Sequence, residues 1–436
     1  MMKVLVIGGG GREHAIVRKL KESPEISEIH CAPGNGGIAA DAVCVPIAAT
    51  DIQALADYAV SERMDYVVVA PDDPLCMGLA DLLRERGIPA FGPDRAAARI
   101  EGSKVFAKNL MRRYGIPTAR YEAFDRMDEA LAYVRSAPCP VVVKADGLAL
   151  GKGVLICQTN AEAEAAVTQM MRDGRFGRSG SSVVIEEFLT GPEVSVLCFT
   201  DGNTLRPMVS SMDHKRALDG DRGLNTGGMG VIAPNPYYTA DVAETCMRSI
   251  FLPTLAAMRA EGVPFRGCLY FGLMLTPEGP KVIEYNCRFG DPEAQAVLTL
   301  LESDLFSILR AVTDGTLDKA DVRFSSGASC CVVLASGGYP ESYETGKPIA
   351  GLDEASQVAC VYHAGTRLAE DGSVTTAGGR VLGVTAAAAT LPEAIHRAYE
   401  AAGRIAFSGL HMRTDIGATA LQALQSSSVP ADALRR

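Results

Sequence analysis

The amino-acid sequence predicts a protein of mixed α/β and α+β class, with a doubly wound N-terminal domain followed by α+β domains. Three observations support this fold class. Short apolar runs alternate with helical patterns over about the first 94 residues, as in a parallel sheet covered by helices on both faces. A β-hairpin with a long glycine-rich loop spans residues 140–157. A strand at 282–285 leads into the polar segment Asn-Cys-Arg-Phe-Gly-Asp-Pro-Glu at 286–293.

The amino-acid composition limits the classes of function that fit this chain. Its 436 residues are 47% hydrophobic and 22% charged, enough for about three globular domains. A net charge of −10 argues against a nucleic-acid binder, whose surface would carry a basic stripe. The 12 cysteines are scattered without a C-x-x-C pair, so neither a zinc site nor a disulfide framework is expected. No apolar run reaches the roughly 20 residues of a membrane span. We therefore expect a cytoplasmic protein with small-molecule partners, no nucleic acid, no membrane and no obligatory protein partner.

The first glycine-rich turn follows a buried strand at 3–7 and precedes a helical pattern. Backbone amides of such a turn, Gly8 to Gly11, can approach an anion at the helix N-terminus. The alternative is a dinucleotide-binding protein, but Glu13 occupies the place of the third glycine in G-x-G-x-x-G. The second strand, 29–32, also lacks the acid that would bind a ribose hydroxyl. A phosphate-binding turn and a purely structural turn both remain open.

The next elements complete the first domain. A buried strand at 65–70 is followed by a helix to about Arg86 and an edge strand at 88–93. One helix is predicted from about Ala96 to Tyr114. Because the loops of a doubly wound domain open at the carboxyl ends of its strands, ligands are expected there.

The glycine-rich hairpin and the strand at 183–189 are candidate nucleotide-binding elements. Glycines between Asp146 and Gly153 would let backbone amides approach a polyphosphate, with Lys144 and Lys152 as charge partners. The segment is not a Walker loop, because G-x-x-x-x-G-K-[ST] is absent. Alone, the hairpin could equally be a surface hairpin, and the strand an ordinary strand.

Glu284 and Asn286 lie on one face of the predicted strand at 282–285, because side chains alternate across a strand. Two hard oxygen donors suit a hydrated magnesium ion that is also bound to phosphate oxygens. Arg288 could bind a carboxylate or phosphate in a fork. On these residues alone, a strand end with a surface salt bridge is the simpler interpretation.

The combined order of these residues resembles the ATP-grasp ligases. Further stretches closely resemble the phosphoribosylamine-glycine ligase family, also called glycinamide ribonucleotide synthetases. They lie at 8–15, 33–37, 100–104, 213–216, 225–230 and 286–293, and in the C-terminal part at 335–340, 363–366 and 378–384.

The resemblance implies a domain organisation and an activity. The domains would be an N-terminal doubly wound substrate domain (1–103), a two-lobed ATP-grasp domain (104–297, lid lobe about 118–192), a connecting segment (298–330), a small C-terminal α+β domain (331–424) and a tail (425–436). The activity would be ATP-dependent ligation of glycine to 5-phosphoribosylamine through glycyl phosphate, in purine biosynthesis, with Mg²⁺ or Mn²⁺. The alternatives are another ATP-grasp carboxylate-amine ligase or carboxylase, and a nucleotide-sensing or NAD-binding protein.

The resemblance also implies roles for particular residues. Arg288, Lys152 and Gly228 would be catalytic, with Arg288 or the backbone amides of the glycine run 227–230 stabilising an oxyanion. Residues implied to bind ATP are Lys104, Lys144, Gly151, Gly153, Glu186, Glu187, Leu189 and Glu193; those implied to bind substrate are Gly9, Gly10, Asn35, Asp213, Lys215 and Asn225; Glu284 and Asn286 would bind the metal. The chain departs from the family pattern at Asp72 and Asp73, where a glutamate is usual, and at Arg222 and Leu224.

Overall fold

The computed structural model describes residues 1–148, 153–172 and 181–426. The chain begins with β1 (Met2–Gly8), α1 (Gly11–Lys21), β2 (Ile26–Pro33), β3 (Val43–Cys44), α2 (Ile52–Ser61), β4 (Tyr66–Val69), α3 (Asp72–Met77), α4 (Leu79–Glu85) and β5 (Ala90–Phe91). These strands form a parallel sheet in the order β3-β2-β1-β4-β5. Along β1, Leu5 and Ile7 pack into one core while Val4 and Val6 pack into another. Both faces are therefore covered, as the predicted doubly wound domain requires.

Two predicted helices are each broken in two. The helix expected to run to Arg86 is interrupted at Gly78, whose φ of +95° joins α3 to α4. The helix expected from Ala96 to Tyr114 is α5 (Arg95–Gly102) followed by α6 (Lys104–Tyr114). Ser103 is extended, and its Oγ accepts a hydrogen bond from the Phe106 amide as the N-cap of α6. Serine stabilises a helix start in this way, so the prediction of one continuous helix was wrong at this position.

The next lobe is an antiparallel sheet covered by two helices. Its elements are β6 (Tyr121–Phe124), α7 (Met127–Ser136), β7 (Val141–Ala145), β8 (Val154–Cys157), α8 (Asn160–Met171) and β9 (Val183–Glu187). The strand order is β6-β9-β7-β8, and α7 and α8 share a core with this sheet. The β7–β8 hairpin agrees with the sequence prediction, although loop residues 149–152 lie outside the described part of the chain.

The second lobe carries the strand with Glu284 and Asn286. The elements up to the C-terminal domain are β10 (Glu193–Thr200), β11 (Leu205–Pro207), β12 (Met212–Asp213), β13 (Arg216–Leu218), β14 (Arg222–Asn225), β15 (Gly230–Ala233), α9 (Ala240–Cys246), α10 (Leu252–Ala260), β16 (Gly267–Thr276), β17 (Gly279–Asn286), α11 (Glu293–Val297) and α12 (Leu305–Asp314). Here β11-β10-β16-β17 form one antiparallel sheet, and β13 and β14 form a separate hairpin.

The C-terminal sheet is shared between distant parts of the chain. The remaining elements are β18 (Ala328–Ser336), α13 (Leu352–Ser356), β19 (Cys360–His363), β20 (Thr366–Leu368), β21 (Val374–Thr376), β22 (Arg380–Ala388), α14 (Leu391–Ala402), β23 (Leu410–His411) and α15 (Ala418–Ser426). The sheet order is β12-β15-β18-β22-β19, with β23 paired to β18. Since β12 and β15 come from the second lobe, hydrogen bonds join that lobe to the C-terminal domain. No helix among the described residues is long and apolar enough to cross a membrane.

Candidate active site

Strand β17 ends in the two residues predicted to bind a metal. Its pairing with β16 is irregular, because Glu284 faces Gly272 and Val282 faces Leu273, which leaves Ile283 as an extra residue. After this bulge, Tyr285 is buried in the core while Glu284 and Asn286 lie on the opposite, partly exposed face. A Cβ on Gly272 would lie 3.1 Å from the Glu284 Cγ, so the glycine leaves room for the carboxylate. Because the bulge lies before Glu284, the side chains of Glu284 and Asn286 still share one face, as the alternation of side chains along a strand predicts.

Lysines surround the Glu284 carboxylate. The Lys215 Nζ lies 3.8 Å from Glu284 Oε1 and 3.0 Å from Glu193 Oε2. The Lys144 Nζ donates a hydrogen bond to the carbonyl of Ile283 (3.1 Å), next to Glu284 in the chain. Burial by itself would raise the pKa of Glu284, but Lys215, Lys144, Lys104 and Arg288 outweigh it, and that pKa is lowered. The carboxylate therefore stays ionised in a wall of cationic side chains, three of which also pair with other carboxylates, Lys215 with Glu193, Lys144 with Glu186 and Arg288 with Glu101.

Helix α6 and the β7–β8 loop meet at the next part of this wall. The Lys104 Nζ donates a hydrogen bond to the carbonyl of Gly147 at 3.1 Å, and the Lys104 amide donates to the Asp146 carbonyl at 2.9 Å. Asp146 Oδ1 accepts from the Ser103 hydroxyl at 2.9 Å and from the Val105 amide at 2.7 Å. The break at Ser103 thus positions Lys104 and fixes the start of the glycine-rich loop.

Glu186 lies in a buried ion-pair triad. Its two carboxylate oxygens are each 3.0 Å from a lysine Nζ, Oε1 from Lys144 and Oε2 from Lys108. All three side chains are at most 5% exposed. The neighbouring Glu187 instead accepts from Arg120, an exposed residue, at 2.7 Å. The carboxylate of Glu186 therefore forms ion pairs with two lysines, while its Oε1 has no partner in hydrogen-bond geometry among the described residues.

Four further residues are predicted to bind ATP: Gly151, Gly153, Leu189 and Glu193. Leu189 follows β9 and is partly exposed, and Glu193 begins β10 with its carboxylate on Lys215. Gly153 is buried, and its carbonyl accepts from the Ala145 amide at 2.9 Å. Gly151 and Lys152 lie outside the described residues.

Arg288 follows the strand end and is held by Glu101. Its Nη2 lies 2.9 Å from Glu101 Oε1, and Glu101 Oε2 accepts from the Cys287 amide at 2.7 Å. The Arg288 Nε is buried without a hydrogen-bond partner among the described residues. Burial would raise the pKa of Asp72, but the Arg288 and Arg12 charges hold it below its usual value. Asp72 is thus an anion that shares the Arg288 environment, whereas burial and Asp72 raise the pKa of Asp73.

The glycine turn after β1 is packed tightly against protein atoms. The Gly10 amide donates to Glu13 Oε2 at 2.6 Å, so the Glu13 side chain caps the start of α1. A Cβ on Gly9 would lie 2.4 Å from the carbonyl oxygen of Gly34. Glu13 therefore accepts from the Gly10 amide, which an anion bound at this turn would otherwise contact. Glu13 also stands at the position where a dinucleotide site has its third glycine. Binding of substrate by Gly9 and Gly10 stays a prediction.

Asn35 and the glycine run have their hydrogen-bonding groups engaged within the protein. The Asn35 Nδ2 donates to the carbonyls of Gly9 (2.9 Å) and His363 (2.8 Å), and its Oδ1 accepts from two amides, Gly37 and Ile38. In the run, the Gly228 amide donates to the Thr226 hydroxyl at 3.0 Å. The observed geometry therefore supports structural roles for Asn35 and for the Gly228 amide.

The remaining residues predicted to bind substrate lie on the same segment. Asp213 ends β12, Lys215 follows it, and Asn225 ends the exposed hairpin strand β14. Arg380, from β22, donates to the carbonyls of Gly227 at 2.7 Å and Asp291 at 2.6 Å. The glycine run is thus linked through Arg380 to the C-terminal domain and to the segment that follows β17.

Comparison with known proteins identifies the family. Models described as the N domain, the ATP-grasp (A) domain and the C domain of phosphoribosylglycinamide synthetase match residues 2–101, 102–294 and 329–419. A relative from Allochromatium vinosum, named phosphoribosylamine–glycine ligase, is 49% identical over 96% of this chain and 99% of its own. The chain belongs to the phosphoribosylamine–glycine ligase family.

Solved structures agree with this membership. The crystal structure of the phosphoribosylamine–glycine ligase from Thermotoga maritima is 35% identical, with a TM-score of 0.82 over 95% of this chain and 100% of that one. The biotin carboxylase domain of Hydrogenobacter thermophilus 2-oxoglutarate carboxylase, at 18% identity and a TM-score of 0.72 over 94% and 92% of the two chains, shares the fold. The predicted fold class and family are confirmed, and the NAD-binding alternative is excluded as the family assignment.

Several residues that hold the site in place were not indicated by the sequence. Lys108, Glu101 and Arg380 each position a residue of the site, yet none stood out in the sequence. Lys108 follows Lys104 by four residues on α6, so helical spacing was the available signal for it, whereas Glu101 lies on α5, before the break at Ser103. His14 and His214 hydrogen-bond within the protein, through Asp41 and the Gly417 amide respectively, in agreement with a structural role.

Proposed function

We propose that this protein joins glycine to 5-phosphoribosylamine with ATP, giving glycinamide ribonucleotide, ADP and phosphate in purine biosynthesis. The identity of 49% over nearly the whole chain to a ligase of that name supports the proposal. The reaction is taken to pass through glycyl phosphate, in which a carboxylate oxygen of glycine has bonded to the γ-phosphorus and ADP has left. A cytoplasmic location fits this role and stays a prediction.

One observation carries the proposal beyond the family name. Glu284, at a strand end, is an ionised carboxylate whose pKa is lowered by four cations against the effect of burial. Such a wall suits a ligand with several negative charges, since each lysine can neutralise phosphate oxygens without taking part in covalent chemistry.

The nucleotide would lie between the two lobes. Lys104 and Lys144 would contact the phosphates, and Glu193 would accept from the ribose hydroxyls. Leu189 and the backbone after Glu186 would contact the base, because the Glu186 carboxylate is bound by two lysines. Gly151, Lys152 and Gly153 belong to the loop that would cover the phosphates and exclude water from an acyl phosphate.

Glu284 and Asn286 fit a divalent cation, Mg²⁺ or Mn²⁺. Both offer hard oxygen donors on one strand face, and the remaining positions would be filled by phosphate oxygens. The cation would neutralise charge on the polyphosphate. Among the described residues, no cluster of three or more His, Cys, Asp and Glu side chains offers a separate metal site.

Arg288 is proposed to stabilise the second step. The amine nitrogen attacks the acyl carbon, an oxyanion forms, and phosphate leaves with the bonding electrons as the new amide forms. The nitrogen loses one proton in this step, which the departing phosphate can accept. The Arg288 Nε is buried without a partner and is a free donor for that oxyanion. The Gly228 amide already donates to Thr226, so Arg288 is favoured over the glycine run.

The experiment is ADP release from Mg-ATP, measured with glycine and freshly generated phosphoribosylamine, each omitted in turn. We expect release only with both substrates, and glycinamide ribonucleotide as the product. Equal release on replacing glycine by bicarbonate would favour a carboxylase, the activity class of the biotin carboxylase fold relatives. Release without phosphoribosylamine and without the expected product would refute the proposed ligation.

A further inference from the structure

Two cysteine thiols meet behind the strand end of the candidate active site. Cys287 is fully buried and stands between Asn286 and Arg288 in the chain. Cys76 lies on α3 and is half-buried. The Cys287 thiol interacts with the Cys76 thiol through a side-chain hydrogen bond, and both cysteines are free. The ligation proposed above uses neither thiol.

Helix α3 explains why the two thiols meet. Asp72 and Cys76 are four residues apart on this helix, so their side chains lie on the same face. The Asp72 charge acts on Arg288, and the Cys76 thiol acts on the preceding residue, Cys287. One face of α3 therefore runs along the segment that follows β17.

Helix α5 places the two cysteines together independently. The Cys76 Sγ lies 3.8 Å from the Ala98 carbonyl oxygen and 3.1 Å from the position that a Cβ on Gly102 would take. Glu101, the neighbour of Gly102, accepts from the Cys287 amide through Oε2 at 2.7 Å. The last turn of α5 thus contacts both cysteines, and the absence of a side chain at Gly102 leaves room for the Cys76 sulfur.

Cys76 is the member of the pair that an external reagent reaches first, because the Cys287 side chain is fully buried. A cavity of about 510 Å³ opens beside Cys76. Two exposed arginines on α5 make this opening cationic, while Asp81 Oδ2 accepts from the Arg95 amide at 2.8 Å. The cavity is lined by Cys76, Asp81, Arg95, Ala96, Arg99 and Gly102. A small anionic disulfide such as oxidised glutathione suits the charge of this opening.

We propose that Cys76 and Cys287 are an oxidisable pair, and that a disulfide between them switches the active site off. The Cys76 sulfur attacks one sulfur of oxidised glutathione, the S–S bond of the reagent breaks, and one glutathione thiolate leaves. The Cys287 sulfur then attacks Cys76 Sγ, and the second glutathione thiolate leaves. The two protein thiols lose two electrons, and their two protons pass to the two glutathione thiolates. In a reducing compartment such a disulfide is transient, as expected of a switch.

The position of Cys287 connects its oxidation to the site. Glu101 binds the Cys287 amide through Oε2 and the Arg288 Nη2 through Oε1 at 2.9 Å. A covalent bond to α3 draws the Cys287 sulfur out of its present contact and shifts the segment between Asn286 and Arg288. Because a displacement of about 1 Å can cost on the order of 100-fold in rate, we expect ADP release to fall by on the order of 10- to 100-fold. This expected loss of activity rests on the proposed function.

The test treats the full chain with oxidised glutathione and then removes the reagent. Peptides from an unreduced digest are identified by mass, and ADP release is measured on the same sample. We expect a peptide that joins Cys76 to Cys287 with the loss of two hydrogen atoms, together with the loss of activity. Dithiothreitol should remove the cross-link and restore the activity.

Three variants identify the reacting thiols. Cys76→Ser should keep its activity before and after oxidation. Cys287→Ser should accumulate one glutathione at Cys76, because the thiol that would displace it is gone. Cys360→Ser is the matched control, since this half-buried cysteine lies beside Arg18 on β19, and it should be inactivated like the wild type. If Cys287→Ser does not fold, a time course of the wild type should show glutathione on Cys76 before the cross-link appears.

The opposite outcomes overturn the inference. These are a wild-type protein that forms no cross-link, a cross-linked protein with unchanged ADP release, and a Cys76→Ser variant that is inactivated as fast as the wild type. Failure of the proposed ligation is recognised separately, because the untreated protein would then form no glycinamide ribonucleotide. The cross-link is still measured by mass in that case, and its effect on the site by calorimetry of Mg-ATP binding.

Discussion

Glu186→Gln should destabilise the protein through the two lysines that it leaves behind. Glu186 bridges Lys108 and Lys144 at 3.0 Å each, and all three side chains are buried. Removing one member of a buried ion-pair network costs about 3–5 kcal/mol, because uncompensated charge remains in the interior. Glutamine keeps the shape and one hydrogen bond, so we expect about 3 kcal/mol at pH 7.

The pH dependence follows from Lys108. Burial lowers its pKa to about 8, and Glu186 is the main group that opposes this shift. The folded pKa lies below the value of 10.5 for an unperturbed lysine, so the unfolded chain binds more protons between them. In the wild type, this lysine therefore makes stability rise with pH from about 8 to 10.5, and below about 8 its contribution no longer changes with pH.

Glu186→Gln lowers the Lys108 pKa further, which costs stability only where the wild-type lysine is charged. At pH 7, one unit below the wild-type value, that contribution is at most about 1.4 kcal/mol. At pH 9, the lysine is largely neutral in both proteins and the contribution is close to zero. The deficit should therefore shrink from about 3 to about 1.6 kcal/mol between pH 7 and pH 9.

The assay is urea unfolding followed by circular dichroism at the two pH values. The matched control is Glu187→Gln, the next residue on β9, whose partner Arg120 is 88% exposed. An exposed pair contributes about 0–1 kcal/mol, with no change expected over this pH range. A Glu186→Gln deficit as small as that of the control, or one that stays constant from pH 7 to pH 9, would refute the assigned roles of the triad.

Two further predictions concern the site. Glu284→Gln should abolish most ADP release and weaken Mg-ATP binding, measured by calorimetry, with an unchanged melting temperature; near-normal activity at ordinary magnesium would contradict the metal assignment. Gly10→Val should lower the melting temperature and the kcat/KM for all three substrates together, because a Cβ would lie 2.8 Å from Glu13 Oε2 and 3.1 Å from Asp291 Oδ2. A selective rise in the KM for phosphoribosylamine, at constant melting temperature, would instead restore a phosphate-binding turn.

Local patterns were sufficient for much of the fold. The apolar run of β1 and the glycine turn after it are complete within a few residues, and the sequence predicts both. Ser103 shows where this approach fails, because its capping role competes with a good helical pattern. The Asp146 contacts that stabilise the break come from 43 positions further along the chain. Such a partner is invisible to a window of local sequence.

The same limit applies to the site. The resemblance implied that Glu284, Asn286, Lys104 and Lys144 bind the same ligand. It could not show which of the polar atoms at the site already have hydrogen-bond partners within the protein. Asn35 is the clearest case, since the resemblance implies that it binds substrate, which stays a prediction. Its Nδ2 donates to the carbonyls of Gly9 and His363, and its Oδ1 accepts from two further amides. Whether a polar atom has a hydrogen-bond partner depends on tertiary contacts, which a local sequence pattern does not show.

The C-terminal domain explains how these loops are held together. Arg380 donates from β22 to the carbonyls of Gly227 and Asp291, two segments that both lie beside Asp213. The Tyr339 hydroxyl accepts from the Gly227 amide at 3.0 Å, so the glycine run is held from two sides. A backbone carbonyl in a loop has no strand partner, so the Arg380 guanidinium supplies a donor to these two carbonyls. The domain thus supplies hydrogen-bond partners that hold the glycine run and the segment after β17 in place.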